Sequence, residues 1–142
     1  MKTRTHLLPA LLAAAALTAS CATPPPASLV WGSEWQLQAL GDQPVLHRPL
    51  ATLNFPEPGR IAGNGSCNRF FGSASIDGAN LRIEQTGMTR MACAEPVNAQ
   101  EMRYMKALTA AQRFELLGDV LLIHSSALDK PLRFVKPGIR DE

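Results

Sequence analysis

Residues 63–72 read GNGSCNRFFG, and residues 89–93 read TRMAC. The first stretch has three glycines in ten residues, a density typical of turns and bulges between short strands. Glycines can also cradle a phosphate group, but this stretch lacks the lysine and the following helix of a P-loop. We therefore interpret it as the turn-rich centre of a β domain, with one cysteine in each of the two stretches.

Alternating apolar and polar residues predict further short strands on both sides of this centre. In the first of them, Trp35, Leu37 and Ala39 are the apolar positions and are expected to face the core. Asp77 and Gly78 predict a hairpin turn. The remaining strands are expected around residues 51–55, 60–83 as a meander, 114–116, 120–123 and 132–135, with turns at 118–119 and 129–131.

One segment has the periodicity of an amphipathic helix. Pro96 suits its first turn, and Tyr104, Met105, Leu108 and Ala111 recur along one face at steps of three and four residues. Strands, one helix and more strands, joined by connections too short for parallel crossovers, indicate an α+β domain with an antiparallel sheet.

Glu101 lies on or beside the apolar face of this helix, one turn before Tyr104. We expect its carboxylate to lie at the exposed margin of the face, and the alternative is a buried acid. The sequence contains no nucleophile elbow of the G-x-S-x-G type, and His124 beside Ser125 and Ser126 is more simply a strand end. The residues therefore indicate no catalytic site.

The amino-terminal residues have the layout of a secretory signal. A basic start at Lys2 and Arg4 precedes an apolar run over residues 7–17, which is far shorter than the roughly 20 residues of a membrane-spanning helix. We expect residues 1–20 to be a signal peptide, residues 21–30 a Pro-rich tether, and residues 31–138 the folded domain. Prolines at positions 24–26 make the tether stiff and extended.

Residues 17–21, LTASC, resemble the bacterial lipobox, in which the cysteine becomes the acylated first residue of the mature protein. The resemblance implies that Cys21 carries palmitate-type acyl chains, and Ala22 after it implies sorting to the outer membrane. Two or more chains give stable anchoring, because each buried methylene contributes about 0.8 kcal/mol. The alternative is an ordinary signal peptide that releases a soluble periplasmic protein.

The two opening stretches together resemble the META domain of HslJ-like proteins. The likeness extends from Trp31 or Trp35 to the last predicted strand, and includes Glu101 and Tyr104 in the helix. The resemblance implies a small, curled, antiparallel sheet or incomplete β-barrel with one amphipathic helix packed against it. It also implies a bacterial envelope protein linked with stress response, and no established reaction.

Three cysteines, less Cys21 for lipid, leave Cys67 and Cys93, and a pair in an oxidising compartment is most simply a disulfide bond. A metal site is the rival interpretation, but the sequence has no C-x-x-C motif and its histidines are distant. A reactive thiol would need a nearby base, and no local motif supplies one. We expect neither a metal nor a cofactor.

Charge excludes one class of partner. The chain has 14 Lys and Arg against 12 Asp and Glu, and loss of Lys2 and Arg4 with the signal peptide leaves the two signs equal. A neutral domain lacks the positive field that nucleic-acid binding requires, so a nucleic-acid partner is not expected.

Taken with what the lipobox and META resemblances imply, the sequence predicts a non-catalytic, outer-membrane-anchored periplasmic lipoprotein that binds an envelope protein as a stress-protective accessory factor. The alternatives are a carrier of a small hydrophobic ligand or lipid, and a pilot-like chaperone for an envelope protein.

Overall fold

The computed structural model describes residues 27–138. A short 3₁₀ helix, Ala27–Leu29, leads into a mainly antiparallel β structure with one α-helix, α1 (Glu95–Thr109). The described strands are β1 (Ser33–Leu40), β2 (Gln43–Pro44), β3 (Thr52–Phe55), β4 (Arg60–Asn64), β5 (Arg69–Asp77), β6 (Asn80–Met88), β7 (Ala111–Leu117), β8 (Val120–Ser125) and β9 (Leu132–Val135).

The sheet closes on itself to form a barrel. β1 pairs with β3 along one edge and with β9 along the other, so that Gln36 lies opposite both Thr52 and Val135. The ring therefore contains eight antiparallel strands, and the two-residue β2 pairs only with the end of β1. The α+β class with one helix is confirmed, but the expected incomplete barrel is corrected to a closed one. Periodicity within a strand does not reveal that the first and last strands of the domain meet.

A bulge in β1 changes which residues face the core. The register between β1 and β9 shifts between Leu37 and Ala39, and an extra residue in one strand reverses the faces of those that follow. Trp35 and Leu37 are buried as predicted, but Leu40 is buried in place of Ala39, which is only half-buried. Simple alternation therefore predicts the inward face of β1 correctly only as far as the bulge.

Aromatic side chains fill the interior of the barrel. The Tyr104 ring from α1 packs against Phe70 and Phe134, with ring centroids 6.0 and 6.2 Å apart. Burial of each such side chain contributes about 1.5–3 kcal/mol relative to leaving it exposed. The largest fully buried side chains also include Trp35, Phe55 and Phe114. The core therefore lies between the barrel wall and the apolar face of α1.

The helix is shorter than its sequence pattern predicts. Ala111 was expected to continue the apolar face, but α1 ends at Thr109 and Ala111 begins β7, where it lies opposite Ser125. Ala111 would be buried in either element, so its place in the pattern does not distinguish a further helical turn from the start of a strand. The predicted turns at 77–78 and 118–119 are confirmed, with Gly78 and Gly118 at φ +58° and +60°.

Candidate functional site

A buried carboxylate organises the loop between β4 and β5. Glu101 from α1 accepts hydrogen bonds at Oε2 from the backbone N–H groups of Cys67 and Asn68, over 2.9 and 2.5 Å. Its Oε1 accepts a third from the Asn68 side-chain amide at 2.8 Å. Glu101 is only 6% exposed, so the expectation of a carboxylate at the exposed margin was wrong and the buried alternative is correct.

The loop bends sharply to meet this carboxylate. Ser66 has φ +106°, an uncommon backbone conformation for a residue other than glycine, and its N–H donates to Asn64 Oδ1 at 2.8 Å. Gly65 lies directly against Glu101, because a Cβ at this position would stand 2.7 Å from Oε2. The glycine is therefore needed for the close approach of the helix to the loop.

Asn68 connects the two opening sequence stretches. Its Oδ1 accepts hydrogen bonds from Met91 N–H at 2.6 Å and from the Thr89 hydroxyl at 3.0 Å. A disulfide joins the neighbouring Cys67 to Cys93, with Cα atoms 6.0 Å apart. Residues 64–68 and 89–93 together with Glu101 form one unit, which we name the disulfide corner.

Two further helix residues tie α1 to the barrel. Gln100, which is buried, donates from Nε2 to Ser66 Oγ at 2.7 Å and accepts from Leu46 N–H at 2.7 Å. The Tyr104 hydroxyl donates to the Thr52 carbonyl at 3.0 Å, and burial raises the pKa of this phenol well above its ordinary value. The sequence analysis did not predict the role of Gln100. Its position next to Glu101 on the same helix is the one feature of the sequence that could have indicated it.

The chemistry of the disulfide corner is structural. Both Glu101 oxygens accept hydrogen bonds from the protein, and both sulfurs are bonded to each other. Cys67 and Cys93 thus come together as the sequence suggested, whereas Cys21 lies outside the described residues. In residues 27–138, no three His, Cys, Asp or Glu side chains are grouped so that they could hold a metal ion.

The second notable feature is a cleft on the outer surface of the barrel, beside the short ladder between β6 and β7. These strands share one ladder pair, Asn80 with Arg113, and a bond from Phe114 N–H to the Ala79 carbonyl at 2.9 Å. Continuing this antiparallel register would pair residue 81 with 112 and residue 82 with 111. Neither of these pairs is formed, and all four of those residues line a cleft of about 640 Å³.

This opening, which we name the seam cleft, has a polar lining. Four charged or carboxamide side chains of the lining have no hydrogen-bond or ion-pair partner among the described residues, namely Asp77, Asn80, Arg82 and Gln112. The remaining lining residues are Ser75, Leu81, Thr109, Ala110, Ala111 and Ser126. The cleft therefore presents one acid, one base and two carboxamides, over a floor that includes alanine and leucine.

A second cleft of about 820 Å³ lies over the outer face of β1 and β9. His47, Arg48 and Arg133 line it, and Arg133 Nε donates to Gln38 Oε1 at 3.0 Å. His124, which the sequence placed at the end of a strand, lies on β8, where its Nε2 is 2.7 Å from Glu115 Oε1. The structure therefore keeps His47 and His124 in separate places, and neither lies in the disulfide corner.

Glu115 belongs to a small charged cluster on the outside of β7 and β8. Arg113 Nη1 donates to Glu115 Oε1 at 2.6 Å, and the same oxygen lies beside His124. Hydrogen bonds from Arg113 and His124 lower the pKa of the Glu115 carboxyl from its ordinary value. The glutamate side chain is 40% exposed, so solvent screens these interactions.

None of the helices in the described part of the chain is long and apolar enough to span a membrane.

The fold defines the chain as a small α+β domain, in which a closed β-barrel carries one helix between β6 and β7 and a disulfide joins two of its loops. The particular family follows from comparison with known families. Residues 27–138 match the META domain, and the chain belongs to that family. The match begins four residues before the boundary at 31 that the sequence predicted, and the buried Val30 lies within it.

Solved structures agree with this fold. The chain is similar to a protein from Burkholderia xenovorans with an NMR structure, at 24% identity and a TM-score of 0.65, covering 93% of this chain and 100% of that one. A second NMR structure has 21% identity and a TM-score of 0.64, covering 80% and 97%. A crystal structure of a DUF4847 family protein from Bacteroides vulgatus has 17% identity and a TM-score of 0.50, covering 63% and 61%.

These likenesses show the fold alone. Neither the family description nor the descriptions of the three structures names a reaction. No curated protein matches the chain.

Proposed function

We propose that this chain is a lipid-anchored protein of the outer membrane, facing the periplasm, whose META domain binds another envelope protein and catalyses no reaction. The observation that carries the binding role is the seam cleft, an outer-surface cleft whose charged and carboxamide side chains have no partner among the described residues. We propose that it acts as an accessory factor in stress protection, the role that its resemblance to HslJ-like proteins implies.

The anchor rests on the amino-terminal sequence. The signal-like residues 1–20, Cys21 and the prolines at 24–26 would place the domain at a distance from the membrane that the stiff tether sets. A disulfide that closes a small domain suits an oxidising compartment outside the cytoplasm.

The carrier alternative has no observation in its favour. A hydrophobic ligand needs an apolar cavity, whereas the barrel interior is occupied by aromatic side chains such as Trp35, Tyr104 and Phe114. The two large clefts described above are on the outer surface and are lined with charged and amide groups.

Two measurements test the proposal. Replacement of Cys21 by Ser is expected to abolish incorporation of labelled palmitate and to move the protein from the membrane pellet to the soluble fraction. A photo-crosslinking amino acid, placed one position at a time at exposed sites around the barrel, is expected to give a reproducible adduct with one envelope protein in intact cells. An unlipidated wild-type chain would refute the anchor, and a scan without any adduct would refute the binding role.

A further inference from the structure

The cleft of about 820 Å³ over β1 and β9 brings basic side chains together on the outside of the barrel. Its strand residues include two cross-strand pairs, Gln36 with Val135 and Ala39 with Arg133. Three residues of the segment 47–50, which precedes β3, also line it. We name this site the basic cleft.

The charges in the basic cleft have one sign. Arg48 and Arg133 carry permanent positive charges and His47 adds a base, whereas none of the described residues that line the cleft is an aspartate or a glutamate. The seam cleft differs in this respect, because Asp77 and Arg82 both line it. A cleft lined by one sign of charge concentrates the opposite sign, so the ligand expected in the basic cleft is an anion.

The guanidinium group of Arg133 is held in place. Arg133 is half-buried on β9, and its Nε donates a hydrogen bond to Gln38 Oε1 at 3.0 Å. This bond restrains the plane of the guanidinium group, whose donors have the geometry to meet two oxygens of one phosphate or carboxylate. An anion would therefore meet a partly preorganised donor, which lowers the entropy cost of binding.

Three further side chains of the cleft are donors without a partner among the described residues. Arg48 is exposed, Gln36 lies two residues before Gln38 on β1, and neither has a hydrogen-bond or ion-pair partner there. The same holds for His47, and an imidazole offers an N–H donor whether it is neutral or charged. Two fixed charges with two further donors suit a phosphate, which has several oxygens and about two negative charges, better than a carboxylate with two oxygens and one charge.

The rest of the lining narrows the kind of phosphate compound. No aromatic side chain is among the described residues of the basic cleft, so a nucleobase would have no ring on which to stack. Leu50, which is 39% exposed, and Ala39 provide apolar contacts at the same site. These contacts suit a short alkyl or acyl group attached to the phosphate.

We infer that the basic cleft binds the phosphate group of a small phosphate ester or of a lipid headgroup. Arg48 and Arg133 contact the phosphate oxygens, and Gln36 and His47 are additional donors. The inference adds a second binding site to the proposed protein-binding role and does not depend on that role. The two can therefore fail separately, because phosphate binding and capture of a partner protein are measured independently.

Titration with inorganic phosphate tests the site in the full chain, purified in a neutral detergent. Sodium phosphate replaces sodium chloride at constant ionic strength, because any salt screens exposed charges. We expect saturable shifts of the amide resonances of residues 36–39, 47–48 and 133–135. The dissociation constant should be about 1 mM, since the arginines are partly exposed to water. Residues 80–82 of the seam cleft should not shift.

Arg48→Gln removes one of the two permanent charges. Arg48 is exposed and has no partner among the described residues, so the fold should be unchanged. Loss of a charge-assisted hydrogen bond should weaken phosphate binding roughly tenfold. The matched control is Arg90→Gln, which removes the same charge from an exposed residue outside the cleft and should change the affinity less than about twofold.

Lipid nanodiscs identify the source of the phosphate. If the ligand is a lipid headgroup, phosphatidylglycerol nanodiscs should shift the same resonances without added phosphate and weaken the binding of inorganic phosphate by competition. Nanodiscs of the phosphate-free lipid digalactosyldiacylglycerol should have neither effect. If the ligand is a free phosphate ester, phosphatidylglycerol nanodiscs should have no effect and glycerol 1-phosphate should bind at least as tightly as inorganic phosphate. Both results agree with the inference.

Several outcomes would overturn it. Absence of shifts in the cleft at tens of millimolar phosphate would show that the basic cleft is not a phosphate site. Equal shifts with sodium chloride alone, or an equal loss of affinity in Arg48→Gln and Arg90→Gln, would show general screening in place of a site. Tighter binding of a tetraglutamate peptide than of phosphate at the same residues would mean that the cleft recognises an acidic protein segment.

Discussion

The disulfide corner and the seam cleft represent opposite ways of joining neighbouring parts of one barrel. In the corner, a covalent bond and a buried carboxylate hold residues 64–68 against residues 89–93 and the helix. At the seam, a single ladder pair, flanked by the bond from Phe114 N–H to the Ala79 carbonyl, joins β6 to β7. The contrast shows that the contacts that stabilise the barrel and the polar side chains that remain without partners lie in different parts of it.

The corner is stable because the buried Glu101 carboxylate and Asn68 side chain have hydrogen-bond partners. Desolvation of a carboxylate is costly, and it is offset only where hydrogen bonds replace those of water. Glu101 receives three, and Asn68 satisfies both its oxygen and its amide nitrogen. The seam side chains, in contrast, keep their hydrogen bonds with water, so they remain available to a ligand.

The largest expected effect is that of removing the corner's carboxylate. Glu101→Ala leaves two backbone N–H groups and the Asn68 amide without their acceptor in a buried site, and we expect the free energy of unfolding to fall by about 3–5 kcal/mol. Urea unfolding followed by Trp fluorescence measures this change. The control is Met102→Ala on the exposed side of α1, where Met102 is 70% exposed and a change within about 0.5 kcal/mol is expected.

Glu101→Gln is the sharper version of this test. One end of the new amide can accept from the Cys67 and Asn68 N–H groups, but the other end then presents a donor to the Asn68 amide, which is also a donor. Rotation of the Asn68 amide would lose the bonds from Met91 and Thr89. An intermediate loss of stability is expected, and equal stability of the Gln variant and the wild type would contradict our account of the corner.

The disulfide is expected to contribute nearly as much. The two cysteines are 26 residues apart, and on the chain-entropy model closing such a loop stabilises the folded state by about 3–4 kcal/mol. Cys67→Ala with Cys93→Ala should lower the free energy of unfolding by this amount in urea titrations. Dithiothreitol should then destabilise the wild type but leave the double variant unchanged.

Combining the two changes tests whether the corner acts as one unit. If the disulfide and Glu101 hold the same loop, Glu101→Ala should cost less in the chain without the disulfide, with a coupling of about 0.5–3 kcal/mol. Strict additivity would mean that the corner consists of independent contacts.

Hydrogen exchange compares the two regions directly. The N–H groups of Asn68 and Phe114 both belong to buried residues, but the first donates to Glu101 in the corner and the second to the Ala79 carbonyl at the seam. Local opening of the seam breaks few bonds, so we expect Phe114 to exchange roughly ten- to thirtyfold faster, a difference of about 1–2 kcal/mol. NMR-detected exchange gives both rates in one experiment. Faster exchange at Asn68 would reverse the comparison.

The sequence predicted those features that depend on neighbouring residues. The turns at 77–78 and 118–119 follow from glycines that adopt positive φ, and the helix begins at Glu95, one residue before the proline that signalled it. The two cysteines were the only pair left once Cys21 was assigned to lipid, and the structure joins them.

The features that the sequence did not predict depend on distant contacts. Glu101 was placed at the margin of a helical face, because the backbone N–H groups that donate to its carboxylate lie 33 and 34 residues away, in a loop that has no sequence signature for this role. Closure of the barrel depends on pairing between β1 and β9 at opposite ends of the domain. The seam cleft lies where the ladder between β6 and β7 ends after one pair, which no periodicity encodes.

The smallest effect on stability is expected on the outer surface of β7. The pKa of Glu115 is lowered by Arg113 and His124, so its ionised form is favoured in the folded state, and the resulting stability is present above the ordinary glutamate pKa of about 4.3. This contribution should be lost as the pH falls below that value and through the lowered pKa of the folded state. Because Glu115 is 40% exposed, its size is expected to be about 0.5 kcal/mol or less.

Glu115→Gln isolates this contribution. The variant should match the acid sensitivity of the wild type above pH 5 or so and lose less stability below it, when unfolding is measured by urea titration at successive pH values. Lys136 and Asp119 form an exposed ion pair elsewhere on the surface, and Asp119→Asn serves as the control for a general change of charge. A Glu115 carboxyl that titrates in NMR at or above the ordinary value would show that its contacts with Arg113 and His124 do not persist in water, and these side chains would then add nothing to the pairing of β7 with β8.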